Sequence, residues 1–196
     1  MPDGKTTLVL ASGSPRRRDL LRAAGIAFEV VPSRVEEKAA PGEAPEALAV
    51  RLATEKALEV ASRLGGEPAR WVLGADTLVV IDGDVLGKPD DEAHAVALLQ
   101  RLAGRTHRVI TGVAVVSSDD LEPRVLAVTS SVTLHRASTE ELEAYVATGE
   151  PLDKAGAYAF QGEGRRFVER VEGSESNVIG LPMEEFLTLL RTLRQP

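Results

Sequence analysis

Leu8–Gly25 reads LVLASGSPRRRDLLRAAG and carries the densest chemistry-bearing pattern in the chain. An apolar, β-prone run stops at Ser12-Gly13-Ser14. Pro15 follows, then Arg16, Arg17 and Arg18, then an amphipathic helical pattern. Ser14 fits a helix N-cap and Pro15 the first helical position. The three arginines then fall on the first turn, where the macrodipole is already positive, at a cost of roughly 0.3–1 kcal/mol each. A local rule broken three times running marks a position selected for something other than helix stability. Backbone N–H groups and guanidinium forks at such a turn would hold an anion, a phosphate above all. No Gly-x-Ser-x-Gly elbow surrounds Ser12 or Ser14, so their hydroxyls read as caps and phosphate hydrogen-bond partners rather than nucleophiles. Taken alone, the stretch also fits an ordinary helix start with a solvated arginine run.

A second set of chemically able residues is Gly74-Ala75-Asp76-Thr77, set inside apolar β sequence. An aspartate there is expensive to bury unless it is paired or holds a metal; an edge-strand turn is the alternative. Asp82-Gly83 between two apolar runs is a strong hairpin signal. Its register places Asp76 opposite Pro89 and Thr77 opposite Lys88, and one bulge would bring Asp76 and Lys88 to a common face. The third set is Gly149–Gly162, where Glu150, Asp153, Lys154 and Gln161 share a stretch of low periodicity. Loops that dense in chemical groups are often functional. Glu37 and Lys56 are lesser candidates, and each alone reads as a surface charge. His94, His107 and His135 show no metal-ligand spacing. The glycine-loop signatures Gly-x-Gly-x-x-Gly and Walker A are absent. Together these groups point to metal-assisted attack on a phosphate anhydride. Carboxylates would hold a hard cation, Mg²⁺ or Mn²⁺, and basic side chains would neutralise phosphoryl charge.

The elements that must position these groups read as α/β with a mixed sheet. Strands are expected at Thr6–Ala11, Phe28–Val31, Trp71–Leu73, Leu78–Ile81, Val109–Val116, Val125–Leu134 and Phe167–Val171. Helices are expected at Pro15–Ala24, Glu46–Leu64, Asp91–Leu102, Thr139–Val146 and Pro182–Leu193. Ser138 and Glu141 form a capping-box pattern, and Ser33–Pro45 reads as a loop. The 196 residues suit one domain spanning the whole chain, or two lobes sharing one core. The net charge of −7 and the 4% aromatic content count against nucleic acid or an anionic membrane as partner. The chain has no cysteine and no apolar run long enough to span a bilayer, so a cytoplasmic location is expected.

LASGSPRRRDLL, the Glu37 region, Lys56, GADTLVVIDGDVLGKP, THRVITGVAV, YVATGEPLDKAGAYAFQG and FVERVEGSESNVIGLP occur in that order. This series resembles the Maf family of nucleoside triphosphate pyrophosphatases, related to the inosine triphosphatase fold. The resemblance implies an elongated mixed sheet with surrounding helices and a central cleft between two lobes. It implies a nucleoside triphosphate substrate cleaved between the α and β phosphates with a divalent cation, and a homodimer as a common assembly. By position it implies Asp76, Lys56 and Lys88 as catalytic residues, with Glu37 and Asp76 toward the metal. Ser12, Ser14, Arg16, Arg17, Thr77, Lys154 and Gln161 fall to the substrate. Arg16, Thr77 and Gln161 resemble the set of the branch favouring dTTP and UTP; the alternatives are the 7-methyl-GTP branch and a non-catalytic nucleotide-binding regulator. Glu175 stands where relatives often carry an aromatic, and Glu36-Glu37 replaces the more usual Asp-Glu.

Overall fold

The structure is a computed structural model and describes residues 7–65 and 68–193. Seven strands form one sheet in the order β2-β1-β3-β5-β6-β7, with β4 paired to β3. The strands are β1 (Leu8–Leu10), β2 (Phe28–Val30), β3 (Trp71–Ile81), β4 (Asp84–Leu86), β5 (Thr106–Ser117), β6 (Arg124–Leu134) and β7 (Val168–Glu172). The helices are α1 (Pro15–Ala23), α2 (Pro45–Leu64), α3 (Glu92–Leu102), α4 (Thr139–Val146), α5 (Glu175–Ile179) and α6 (Met183–Thr192). β1 pairs in parallel with both β2 and β3. The β3–β4 and β6–β7 pairs are antiparallel, so the sheet is mixed, as the strand–helix alternation predicts.

The chain divides into two compact units. The first holds residues 1–76, 111–128 and 180–196; the second holds 77–110 and 129–179. Strands β3, β5 and β6 contribute residues to both. In the first unit, alternation along the strands sorts the core into two faces. Leu8, Leu10, Leu73, Ala75, Val113 and Val115 pack with Leu21 of α1 and with Phe186 and Leu190 of α6. Val9, Val72, Ala114 and Val116 point the other way, onto Ala53, Ala57 and Val60 of α2. In the second unit one core joins β3, β4 and β6 residues to α3, α4 and the buried rings of Tyr145, Tyr158 and Phe167.

Local signals explain most boundaries. Asp82 and Gly83 both take positive φ, 55° and 89°, which a two-residue type I′ turn requires, and Val79 pairs with Leu86 across it. Asp91 caps α3 by accepting from the His94 N–H at 2.7 Å. Ser138 and Glu141 make both bonds of the capping box on α4.

Three expectations are corrected. The two strands expected at Trp71–Leu73 and Leu78–Ile81 are one, and Gly74–Thr77 lies inside it rather than at a turn. Ser14 takes the extended N-cap conformation but its side chain makes no cap bond. The β3–β4 ladder stops at Leu86, so the register does not reach Lys88 and Pro89; the Gly87 carbonyl instead accepts from Gly156 N–H at 3.0 Å. The Gly149–Gly162 stretch of low periodicity holds two short 3₁₀ turns, at Glu150–Asp153 and Ala155–Ala157, and a third follows at Glu163–Phe167.

Candidate active site

Glycine sets the geometry of the first unit. A Cβ on Gly74 would stand 2.1 Å from the Ala53 carbonyl oxygen, and one on Gly112 would stand 2.2 Å from that of Ala49. Helix α2 therefore lies against β3 and β5 at a distance that any side chain on those two glycines would forbid. Small residues at four-residue spacing (Ala49, Ala53, Ala57) form its contact seam, all fully buried. Asp76 follows Gly74 by two residues and so shares its face of β3. That face is the one α2 covers, and Lys56 of α2 meets the carboxylate there.

Lys56 Nζ donates to Asp76 Oδ1 at 2.6 Å and to Glu37 Oε1 at 2.5 Å. The Lys56 and Asp76 side chains are 8% and 7% exposed, whereas Glu37 is 49% exposed. Two anions thus converge on one buried ammonium, one from the core and one from the rim. Lys56 is therefore not the surface charge it reads as alone, and Asp76 lies buried within a strand rather than at an edge-strand turn; each supplies the partner that makes the other's burial tolerable.

The opening turn lies in the same unit. Arg17 is buried, the middle member of the arginine run. Its Nε donates to the Gly180 carbonyl at 2.8 Å and its Nη1 to Ser12 Oγ at 3.0 Å. Ser12 Oγ also accepts from Ser14 N–H at 3.2 Å, which explains why no cap bond is needed to order this turn. Burial lowers the Arg17 pKa from its ordinary value; the negative charges of Asp76 and Glu37 act against that, and Arg16 acts with it. The guanidinium therefore lies in the field of the same two carboxylates that flank Lys56. Arg16 and Arg18 are half-buried. The turn carries positive charge beside the acids, but one of its arginines is committed to holding it.

Thr77, Lys88, Lys154 and Gln161 belong to the second unit. Thr77 is half-buried in β3, and Lys88 is exposed in the segment between β4 and α3. Lys154 Nζ donates to the Glu150 carbonyl at 3.2 Å and contacts the Asp153 carboxylate. Gln161 is exposed at the far end of the loop. The two acids of this loop differ. Glu150 accepts from Tyr145 OH at 2.7 Å and from the Gly164 and Glu163 N–H groups at 2.9 and 3.1 Å. Those bonds hold its pKa below the usual carboxylate value, against partial burial. Glu150 is a staple of the loop that presents Lys154 and Gln161. Neither Tyr145 nor this tie is legible in the sequence, where the two residues are five apart across a helix end.

Among the described residues no group of three or more His, Cys, Asp or Glu is placed to hold a metal ion. Asp76 and Glu37 are still two hard oxygen donors gathered around one positive charge. That donor set fits Mg²⁺ or Mn²⁺, which is commonly held by one or two carboxylates with waters and substrate phosphates completing the shell. The histidines stand apart: His107 is buried against Tyr158, with Nε2 and the phenol oxygen 2.8 Å apart, and burial pushes it down to about 4.

A mixed sheet carrying carboxylates, a buried lysine and an arginine-lined turn defines an α/β protein built to handle a polyanion. The chain belongs to the Maf-like protein family, whose model matches residues 7–193. It is 49% identical over 189 residues to a dTTP/UTP pyrophosphatase of Geobacter sulfurreducens, covering 96% of this chain and 97% of that one. It is 50% identical over 192 residues to a dTTP/UTP pyrophosphatase of Myxococcus xanthus, covering 98% and 95%. Among solved structures, a HAM1 protein from Coxiella burnetii shares the fold, with TM-score 0.53 and 18% identity over 95% of this chain and 99% of that one. No described helix is long and apolar enough to cross a membrane.

Proposed function

We propose that this chain hydrolyses pyrimidine nucleoside triphosphates, dTTP and UTP among them, to the monophosphate and pyrophosphate, and so clears the nucleotide pool of unwanted members. The names of full-length relatives near half identity support the substrate class. The observation that carries the chemistry is the Lys56 ammonium held between Asp76 and Glu37. In this reading a water oxygen attacks the α-phosphorus, the bond from that phosphorus to the bridging oxygen breaks, and pyrophosphate leaves. Asp76 orients the water and takes its proton. Lys56 holds Asp76 in place and, with Arg16, opposes the charge that gathers on the phosphoryl oxygens. Arg17 keeps the Ser12–Ser14 turn in shape for phosphate. Asp76 and Glu37 would hold the divalent cation, which when bound supplies Lewis-acid polarisation of phosphate oxygens.

Lys88 and Lys154 are assigned to the triphosphate by their family positions. Thr77 and Gln161 are assigned to the base: an amide presents both a donor and an acceptor, which a uracil or thymine edge can match. A cysteine-free chain suits the reducing cytoplasm where that pool resides.

The test is a panel of dTTP, UTP, purine triphosphates and 7-methyl-GTP with Mg²⁺ or Mn²⁺, with pyrophosphate and orthophosphate measured separately. Pyrophosphate from the pyrimidine substrates is expected, and Asp76→Asn should cut turnover on the order of 100-fold or more. Orthophosphate as the sole product, or unchanged turnover in Asp76→Asn, overturns the reading.

A further inference from the structure

Glu37 sits in the middle of a segment, residues 31–44, that has no helix or strand of its own. Its bond to Lys56 cannot fix that segment unaided, because an ion pair with one half-exposed partner contributes little against the entropy of ordering a loop. Val31 N–H bonds the Leu10 carbonyl at 3.1 Å where the segment begins, and further anchors come from one stripe of α2. Arg51, Glu55, Glu59 and Arg63 recur every four residues and so line one face of the helix.

Arg63 Nη2 donates to the Pro32 carbonyl at 2.9 Å, and Glu59 Oε2 accepts from Arg34 N–H at 3.2 Å. Arg51 makes the largest share of the contacts. Its Nη2 donates to the Lys38 carbonyl at 2.8 Å, one residue past Glu37. Its Nε and Nη2 grip the two oxygens of Glu43 at 2.7 and 2.8 Å, and its Nη1 reaches Glu55 at 2.8 Å. Glu43 in turn accepts from Ala40 N–H at 3.1 Å. One planar guanidinium thus ties Lys38 directly and Ala40 through Glu43 to the helix that also carries Lys56. A lysine has no fork with which to do this.

We propose that Arg51 is a positioning residue for Glu37, fixing the loop so that the carboxylate is delivered to Lys56 and to the cation assigned to that cluster. The proposal rests on the reading of Glu37 as part of the catalytic machinery; Arg51 and Glu43 are outside it.

The experiment is a double-mutant cycle on dTTP hydrolysis at saturating Mg²⁺, joined to amide hydrogen exchange of residues 33–43. Arg51→Met is expected to lower kcat/KM by about tenfold or more, as loss of an orienting partner does, and to speed exchange in the loop. Added to Glu37→Gln, it should lower kcat/KM no further, because the residue it positions is already disabled. Losses that multiply across the two sites overturn the proposal, as does Arg51→Met with unchanged kcat/KM and exchange. Wild-type turnover in Glu37→Gln removes the reading of Glu37 and the proposal with it, whereas loss in Glu37→Gln with none in Arg51→Met sinks the proposal alone. Should Arg51→Met lose its cooperative melt, Glu43→Gln is put through the same cycle. It leaves the Arg51 bonds to Glu55 and Lys38 available and should show the same coupling in weaker form.

Discussion

Lys56 is a cation in the interior of a helix, bonded to a buried carboxylate from a strand twenty residues away. Breaking a buried pair by removing one partner typically costs about 3–5 kcal/mol, because the other charge is left uncompensated. Here Asp76 keeps the field of Arg17, so Lys56→Met should fall near the low end, about 3 kcal/mol, in urea unfolding. Lys56→Met with Asp76→Leu should recover most of that stability while turnover stays lost, which separates the structural cost of the broken pair from the chemistry of the two residues. A double variant no more stable than the single one would reject the pairing as the source of the cost. At this scale the sequence is half legible. The arginine run announces a positive turn, but which arginine faces inward depends on the helix phase: Arg17 shares its face with Leu21, one turn on, and those two are the buried residues of α1. Lys56 gives no such sign, since its partner is not local.

Elements were readable where their signals are short-range: the Asp82-Gly83 turn, the Ser138–Glu141 capping box, and Gly65 with φ 61° closing α2. β3 is not, because Gly74-Ala75-Asp76-Thr77 looks like a turn and becomes strand only when a helix lies on it. That dependence makes Gly74 the test of the element. Its hypothetical Cβ meets backbone of α2, the Ala53 carbonyl oxygen and the Ala57 nitrogen at 2.8 Å, rather than a side chain that could swing away. Gly74→Ala must therefore shift the helix or the strand. The cost expected is at least the roughly 1–3 kcal/mol of overpacking. Because the displaced helix carries Lys56, kcat should drop with stability, whereas Gly87→Ala, whose Cβ would meet nothing within 4 Å, should leave the fold's stability near wild type. Equal melting temperatures for Gly74→Ala and wild type would show that α2 is not seated by that close approach. The Gly149–Gly162 loop shows no period in the sequence for a similar reason: its order comes from Glu150 reaching Tyr145 and two backbone N–H groups.

The whole molecule carries a net charge of −7 with a pI near 5.1, so lowering the pH from 7 to 5 relaxes its overall repulsion. The Glu43–Arg51 pair is not lost in that range: Glu43, held down to about 2 chiefly by its bond to Arg51, gives up its contribution only below its ordinary value of 4.5. His107 acts in the opposite direction from the charge. It is the buried one of the three histidines, and burial lowers it from 6.5 to about 4. Between those values the unfolded chain binds a proton that the folded chain does not, so stability falls as pH drops through 6.5 and levels off below about 4. From pH 7 to pH 5 that amounts to about 2 kcal/mol. The chain contains its own reporters: both tyrosines, Tyr145 and Tyr158, lie in the second unit with His107, and the single tryptophan, Trp71, lies in the first. Thermal unfolding followed by the near-ultraviolet tyrosine signal should therefore lose midpoint temperature steadily from pH 7 to pH 5. His107→Gln, which has no proton to gain there and can still bond Tyr158, should flatten the profile without abolishing it at pH 7. A midpoint that changes with pH equally in the wild-type chain and in His107→Gln would mean that His107 is not protected from protonation by the core around it.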